Sequence, residues 1–317
     1  MRTLMLTTAA MLHAPALSAE PLRVLSTVGM LSDMARAIGG ECVASEALMG
    51  PGSDPHLYTP RASDITRLDQ AEVILYLDPA LEAQMTRPLQ AMSGRKPVLG
   101  VLAATYAPDQ LLDDDGQPDP HVWMDVALWA QAIPNVTAVL SDARPDCAAA
   151  MTEGADAYAR QLAALDDWAR GAIATIPEGN RLLVTAHDAF NYFANAYGIE
   201  ASEAVAGIST DAEASIADIR EVAAFVVENG VPAVFVESTI NPRSIEALVA
   251  EIRSQGHSVS IGGELYADAM GEPDTLAGDY IGMIWSNIAT ITAALGGDLP
   301  ETPEPLADWA ETRNITP

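Results

Sequence analysis

Only two cysteines, Cys42 and Cys147, occur in 317 residues. That is too few for a disulfide-stapled scaffold. In an exported protein the two could pair; otherwise they are two buried thiols. Basic residues are scarce as well. Sixteen Lys and Arg face 44 Asp and Glu, a net charge of -28, which argues against nucleic acid or an anionic membrane surface as a partner. The plain meaning of that acidity is a strongly solvated surface, and a role in collecting cations is the alternative. Beyond the first nineteen residues no stretch reaches membrane length without charges. No HExxH signature of a compact zinc site occurs either. What is present is a chain 49% hydrophobic, globular by composition and long enough for two domains with cores of their own.

The first nineteen residues stand apart. Arg2 is their only charge, an apolar run from Leu4 to Leu17 follows, and Ala16-Leu17-Ser18-Ala19 supplies small residues. This order is that of a secretory signal cleaved near residues 18–19. No cysteine lies near the cut, so a lipid-anchored product is not expected.

The remainder alternates strands and helices. Residues 22–28 read as a strand, and Met30, Leu31, Met34 and Ile38 recur at helical spacing until Gly39-Gly40. A strand over 42–49 runs into the Gly- and Pro-rich loop 50–56. A helix over 60–70 leads to a strand over 73–77, and 98–101 is another short strand. After residue 178 the alternation restarts. Strands are expected at 181–186, 233–236 and 258–261, with helices near 213–228, 242–254 and 275–295. Such alternation implies parallel sheets covered on both faces by helices. Between the halves, 146–176 is rich in Ala and Leu and is bracketed by Pro145 and Pro177. Unbroken, it makes a helix of about 45 Å, better suited to a spine between two domains than to either one. The expected division is therefore a signal at 1–19, an N-terminal α/β lobe at 20–144, a linker helix at 145–177 and a C-terminal α/β lobe at 178–317. Residues after 298 are Pro-rich and expected to be extended; 113–120 form an acidic surface loop.

Five histidines are present. His13 lies in the signal, and His257 follows Gln255-Gly256 at a helix–strand turn, where solvent exposure is the default. The other three stand in Asp54-Pro55-His56, Asp119-Pro120-His121 and Ala186-His187-Asp188, each in a loop or where a strand gives way to a helix. Ligands collect at the carboxyl ends of strands in open α/β sheets, so the three can converge on a cleft between lobes. Taken singly, each is as readily a capping or core histidine as a ligand. Imidazole suits zinc, carboxylate oxygen suits harder ions such as manganese, and the two Asp-Pro-His copies can place a carboxylate behind the ring.

Longer motifs add more. Gly50-Pro51-Gly52-Ser53-Asp54-Pro55-His56-Leu57-Tyr58-Thr59-Pro60 resembles the first ligand loop of the metal-binding solute receptors of zinc and manganese ABC importers, the cluster A-I type. His121-Val122-Trp123-Met124-Asp125 resembles their second. The stretch from Thr185 to Phe193 resembles the third, in the version with His rather than Glu. Asp279-Tyr280-Ile281-Gly282-Met283 is similar to the fourth, whose leading Asp is a ligand. Leu265-Tyr266-Ala267-Asp268-Ala269-Met270 and Phe235-Val236-Glu237-Ser238 are further family-like segments. The resemblance covers nearly all of the chain after the signal and keeps the motif order.

It implies two α/β lobes, a rigid linking helix and one buried divalent ion held between the lobes by His56, His121, His187 and Asp279. It also implies a periplasmic, monomeric protein that is no enzyme and hands its metal to a membrane permease. Zinc is the favoured ion and manganese the alternative. One departure is that the place where zinc-selective members carry a His-rich loop holds only Asp113-Asp114-Asp115-Gly116-Gln117-Pro118. His187 departs from the manganese-type pattern, which has Glu. Glu237 reads as a supporting or structural residue, Asp188 as a cap for the helix that follows His187, and Trp123 as packing beneath the site. The competing functions are a secreted zinc metallohydrolase, which needs an open coordination position and a base, and an adhesin or metallochaperone.

Overall fold

A computed structural model describes residues 20–313 and 315, apart from 79, 115, 116 and 213. The expected signal, 1–19, lies outside them. The chain opens with β1 (Leu22–Ser26), α1 (Gly29–Gly39) and β2 (Val43–Ala47). Next come α2 (Ala62–Gln70), β3 (Val73–Tyr76), α3 (Thr86–Ser93), β4 (Val98–Gly100) and α4 (Val101–Thr105). The four strands form one parallel sheet in the order β2-β1-β3-β4. Parallel neighbours need crossovers, and the intervening helices supply them. Central β1 buries Leu22, Val24 and Leu25 almost completely.

A minimal hairpin of β5 (Asp113–Asp114) and β6 (Gln117–Pro118) interrupts the acidic loop. Then α5 (Val126–Ala130) and α6 (Ile133–Ala143) lead to α7 (Ala148–Ala174), a helix of 27 residues and about 40 Å. Met151, Ala155, Tyr158, Leu162, Leu165 and Ala169 line its buried face at three- and four-residue intervals. α7 packs on α1, α5 and α6 on one side. On the other it meets α8 (Asn191–Tyr197) and α11 (Tyr280–Ala294). It is thus the common floor of both halves. Gly154 is required there, because a Cβ would fall 2.3 Å from the Ile38 carbonyl oxygen. Trp168 stacks on Trp285 of α11 at 3.6 Å between centroids. The two cysteines pair: the Cys42–Cys147 disulfide, with Cα atoms 6.3 Å apart, ties the start of α7 to the turn before β2. Such a crosslink typically contributes about 2–4 kcal/mol.

The second half contains β7 (Leu182–His187), α8, β8 (Ala201–Ala206), α9 (Ile216–Asn229), β9 (Ala233–Glu237), α10 (Arg243–Ser254) and β10 (Ser260–Leu265). β7 pairs with β8 and β9 with β10, all parallel, and β9 lies beside β7. Side chains alternate across this sheet. Leu183, Phe235 and Leu265 face the main core with α7 and α11. Leu182, Val184, Ala186 and Val234 face a second core built with Val222 and Val226 of α9 and Ile245, Leu248 and Ile252 of α10. Both faces are covered, as the apolar strands require. The fold is the α/β arrangement of two lobes with parallel sheets that the alternation implied.

Several boundaries differ from the sequence reading. β8 was not foreseen, because Ala-Ser-Glu-Ala-Val-Ala lacks the β-branched enrichment that marks a strand. The last long helix begins at Tyr280 rather than near Thr275. Residues Leu276–Gly278 form a tight 3-10 turn and Asp279 caps the helix, its Oδ1 accepting from the Gly282 N–H at 2.7 Å. The Pro-rich tail is not wholly extended. Pro303 precedes a 3-10 turn and α12 (Ala307–Thr312), which buries Leu306 and Trp309.

Candidate metal centre

His56, His121, His187 and Asp268 converge, each offering one donor atom within 4.8 Å of the others. The fold explains the meeting. His187 ends β7, and Asp268 follows β10 closely. His56 lies in the loop after β2, and His121 starts the 3-10 turn Val122–Met124. All four are buried. The histidine ring centroids stand 5.4, 5.5 and 6.0 Å apart. The Asp268 carboxylate lies 3.3 Å from His187 Nε2, 3.4 Å from His121 Nε2 and 3.6 Å from His56 Nε2. Among the described residues, neither Asp268 oxygen and none of the three Nε2 atoms has a hydrogen-bond partner. Buried donors left bare in this way are costly unless something else satisfies them. Five such atoms around one point form a cradle for a cation with borderline nitrogen and oxygen ligands.

Asp279, expected as the fourth ligand, is not in this group. Besides capping α11, its carboxylate accepts from Trp309 Nε1 at 3.1 Å and is ion-paired with Arg313. Its lone pairs are already used by the protein, so it has no free face to offer. Asp268 stands where Asp279 was expected. The sequence held a signal for it: Asp268 follows a strand, as His187 ends one, whereas Asp279 begins a helix. His257, partly exposed at the turn after α10, lies apart from the cluster.

The supporting shell is built from carboxylates and backbone. Asp119 Oδ1 accepts from the His121 N–H at 2.9 Å and meets its Nδ1 at 2.7 Å. Asp119 is held in turn from the other half of the chain: Tyr192 Oη donates to its carbonyl at 2.9 Å. Glu237 Oε2 meets His187 Nδ1 at 2.5 Å, and Oε1 accepts from the Ala186 and His187 N–H groups. Each contact leaves Nε2 to face the centre. Asp188 precedes the α8 cap residue Phe190 and interacts with Asn191. Trp123 sits against the His121 ring at 5.2 Å.

Charge completes the picture. Burial would lower the His121 pKa, yet Asp119 and Asp268 outweigh it and push it up to about 9. His187 moves the same way: burial is outweighed by Glu237 and Asp268. Burial would raise Asp268, but His187 and His121 hold it well below the ordinary carboxylate range. His56, which has no carboxylate behind its ring, is pushed down by burial. The pocket therefore has a strong appetite for positive charge, and a metal ion competes with protons for the same nitrogens.

Two α/β lobes on a shared helical floor, closing over one small polar centre, define a solute receptor of the two-lobed kind. Within that class the match is specific. Residues 24–294 match the family of the periplasmic zinc-uptake complex component A, and the chain belongs to that family. It is similar to the zinc-binding protein TroA of Treponema pallidum, with 41% identity over 276 residues, 87% of this chain and 89% of that one. The solved structure of periplasmic TroA superposes with a TM-score of 0.84 over 87% of this chain and 99% of its own. The manganese-binding lipoprotein MntA of Bacillus subtilis is 42% identical over 277 residues, 87% of this chain and 90% of that protein. Fe(III)-bound YtgA from Chlamydia trachomatis, 28% identical, superposes with a TM-score of 0.79 over 88% of this chain and 100% of its own.

Proposed function

We propose that this chain is the exported receptor of an ABC importer. It captures one divalent transition metal with His56, His121, His187 and Asp268 and delivers it to a membrane permease. The observation that carries the reading is the set of five bare, buried donor atoms aimed at one point. Relatives that carry the names of zinc- and manganese-binding proteins support it. Three imidazoles and one carboxylate are nitrogen-rich, and the Irving–Williams order places zinc above manganese for such a set, so zinc is the favoured cargo. The metallohydrolase reading fits less well. The two carboxylates nearest the rings, Asp119 and Glu237, are each engaged by a histidine, and neither is free to serve as a base. The basic and apolar start of the chain and the family together favour export to the periplasm.

Metal analysis of protein isolated from the exporting host, followed by zinc–manganese competition on metal-free protein, tests the proposal. One zinc per chain is expected. Protein that binds neither ion would overturn the receptor reading.

A further inference from the structure

We infer that the indole N–H of Trp123 positions the Asp268 ligand, making the fourth arm of the site conditional on the contact between the two halves of the chain. The inference rests on the receptor reading given above and adds a positioning residue to it. Trp123 follows His121 by two residues in a tight turn, where Met124 N–H donates to the His121 carbonyl at 3.1 Å. Its side chain is fully buried. One edge packs on the His121 ring. Its Nε1 crosses to the other half of the chain and donates to the Ala267 carbonyl at 2.8 Å, 144 residues away. A second bond runs the opposite way: Tyr280 Oη, at the start of α11, donates to the Trp123 carbonyl at 2.7 Å.

The importance of these bonds follows from what Asp268 lacks. The His121 and His187 rings are each steered by a carboxylate at Nδ1. Among the described residues neither Asp268 oxygen has a hydrogen-bond partner, so no group other than the ligand rings themselves, 3.3 to 3.6 Å away, orients its side chain. Its position is inherited from the backbone before it. Asn287 pairs with both the N–H and the carbonyl of Tyr266, at 2.8 Å each, which anchors that backbone within its own half. Among the described residues, the hydrogen bond to Ala267, the residue next to the ligand, comes from across the cleft, from Trp123. The pin that places Asp268 and the turn that presents His121 are thus one piece of chain.

Zinc affinity measured by competition with a chromophoric chelator tests this. Trp123→Phe keeps an aromatic ring beside His121 but removes the donor and part of the indole's bulk, stranding a buried carbonyl, and is expected to weaken zinc binding about tenfold. In an Asp268→Ala background the same change is expected to cost nothing further, because there is no carboxylate left to place. In a His56→Ala background the tenfold loss should persist. Tyr280→Phe, which loosens Trp123 from the other side, should shift affinity in the same direction by a smaller factor, and it decides the matter if Trp123→Phe does not fold. Wild-type affinity in both variants would overturn the inference. So would an equal loss with and without Asp268, which is the signature of packing alone. Failure of the wild-type chain to bind zinc would instead overturn the receptor reading on which the inference stands.

Discussion

Asp268 and Asp279 flank the same short connection between β10 and α11, and their environments are opposite. Asp279 is saturated: it caps a helix, accepts from an indole and pairs with an arginine. Asp268 is buried with both oxygens bare. An aspartate whose lone pairs are spent on the protein has a structural role. One that is buried, accepts no hydrogen bond among the described residues and faces three imidazole nitrogens is placed to share a cation with them. The largest expected effect tests this contrast directly. Asp268→Ala should weaken zinc binding by at least about 100-fold, the order expected when a buried charge loses its counterpart. Asp279→Ala should leave affinity within about threefold and lower the stability of the metal-free protein by about 1–2 kcal/mol through loss of the cap. Competition titrations and chemical denaturation read the two effects separately. The reverse pattern, with Asp279 governing affinity, would break the comparison.

The same test of partners separates the two Asp-Pro-His turns. In both, the aspartate accepts from the histidine N–H at 2.9 Å. Only Asp119 also reaches the ring; Asp54 Oδ2 instead accepts from Thr210 Oγ1 at 2.7 Å, across the cleft. Among the described residues His56 Nδ1 has no hydrogen-bond partner. Asp119→Asn is therefore expected to weaken zinc binding about 10- to 100-fold, as the loss of a carboxylate behind a ligating ring does. Asp54→Asn should cost only a fewfold. Equal losses would mean that the two motifs act alike and that the hydrogen bonds to the rings do not decide affinity.

Much of this was legible before the structure. The alternation gave the parallel sheets, and the Ala- and Leu-rich stretch between two prolines gave α7. The three histidines placed in loops or at strand-to-helix junctions are the ones that meet. What failed was the choice between two aspartates in neighbouring motifs. A motif carries residue type and order, but which carboxylate is left bare depends on Trp309 and Arg313, thirty and more residues further on, in a tail that reads as extended. β8 was missed for a related reason: its Ala- and Ser-rich sequence becomes a strand only because β7 offers it an edge. The cysteine pairing, which the sequence left open, depends on α7 beginning beside the turn after α1.

A third test concerns the carboxylate that stands behind His187. His187→Glu copies the manganese-type pattern, adds an oxygen donor and should narrow the preference for zinc over manganese. Here the new carboxylate would face Glu237, which now meets His187 Nδ1 at 2.5 Å. Two like charges at that distance repel, so the single variant should bind both metals more weakly than wild type. Adding Glu237→Gln should restore manganese binding by several-fold. Competition titrations with both ions decide the point. If Glu237→Gln brings no recovery, the glutamate is not what opposes an oxygen ligand at this place.

The smallest expected effect comes from a buried carboxylate that faces protein alone. Glu82 is 1% exposed and accepts from Thr27 Oγ1 and from the Leu77 and Asp78 N–H groups. Burial raises its pKa from 4.5 to about 7, against the pull of those hydrogen bonds, whereas Asp268, equally buried, is driven down by its histidines. The sign follows from linkage. A carboxyl with a raised pKa binds its proton more tightly in the folded state. Its contribution to stability is therefore complete below about pH 4.5, and it is lost as pH rises through about 7. Between about pH 6 and pH 8 the loss is on the order of 1 kcal/mol. Glu82→Gln is neutral throughout. It should carry a constant penalty for the acceptor it lacks and no such slope. Urea denaturation of the metal-free protein at the two pH values, wild type against variant, isolates the group from every other titration. The stability gap between the two proteins should be larger at pH 6 than at pH 8. A gap that is the same at both would show that Glu82 is already ionised in the folded protein, held by its three donors as Asp268 is held by its histidines.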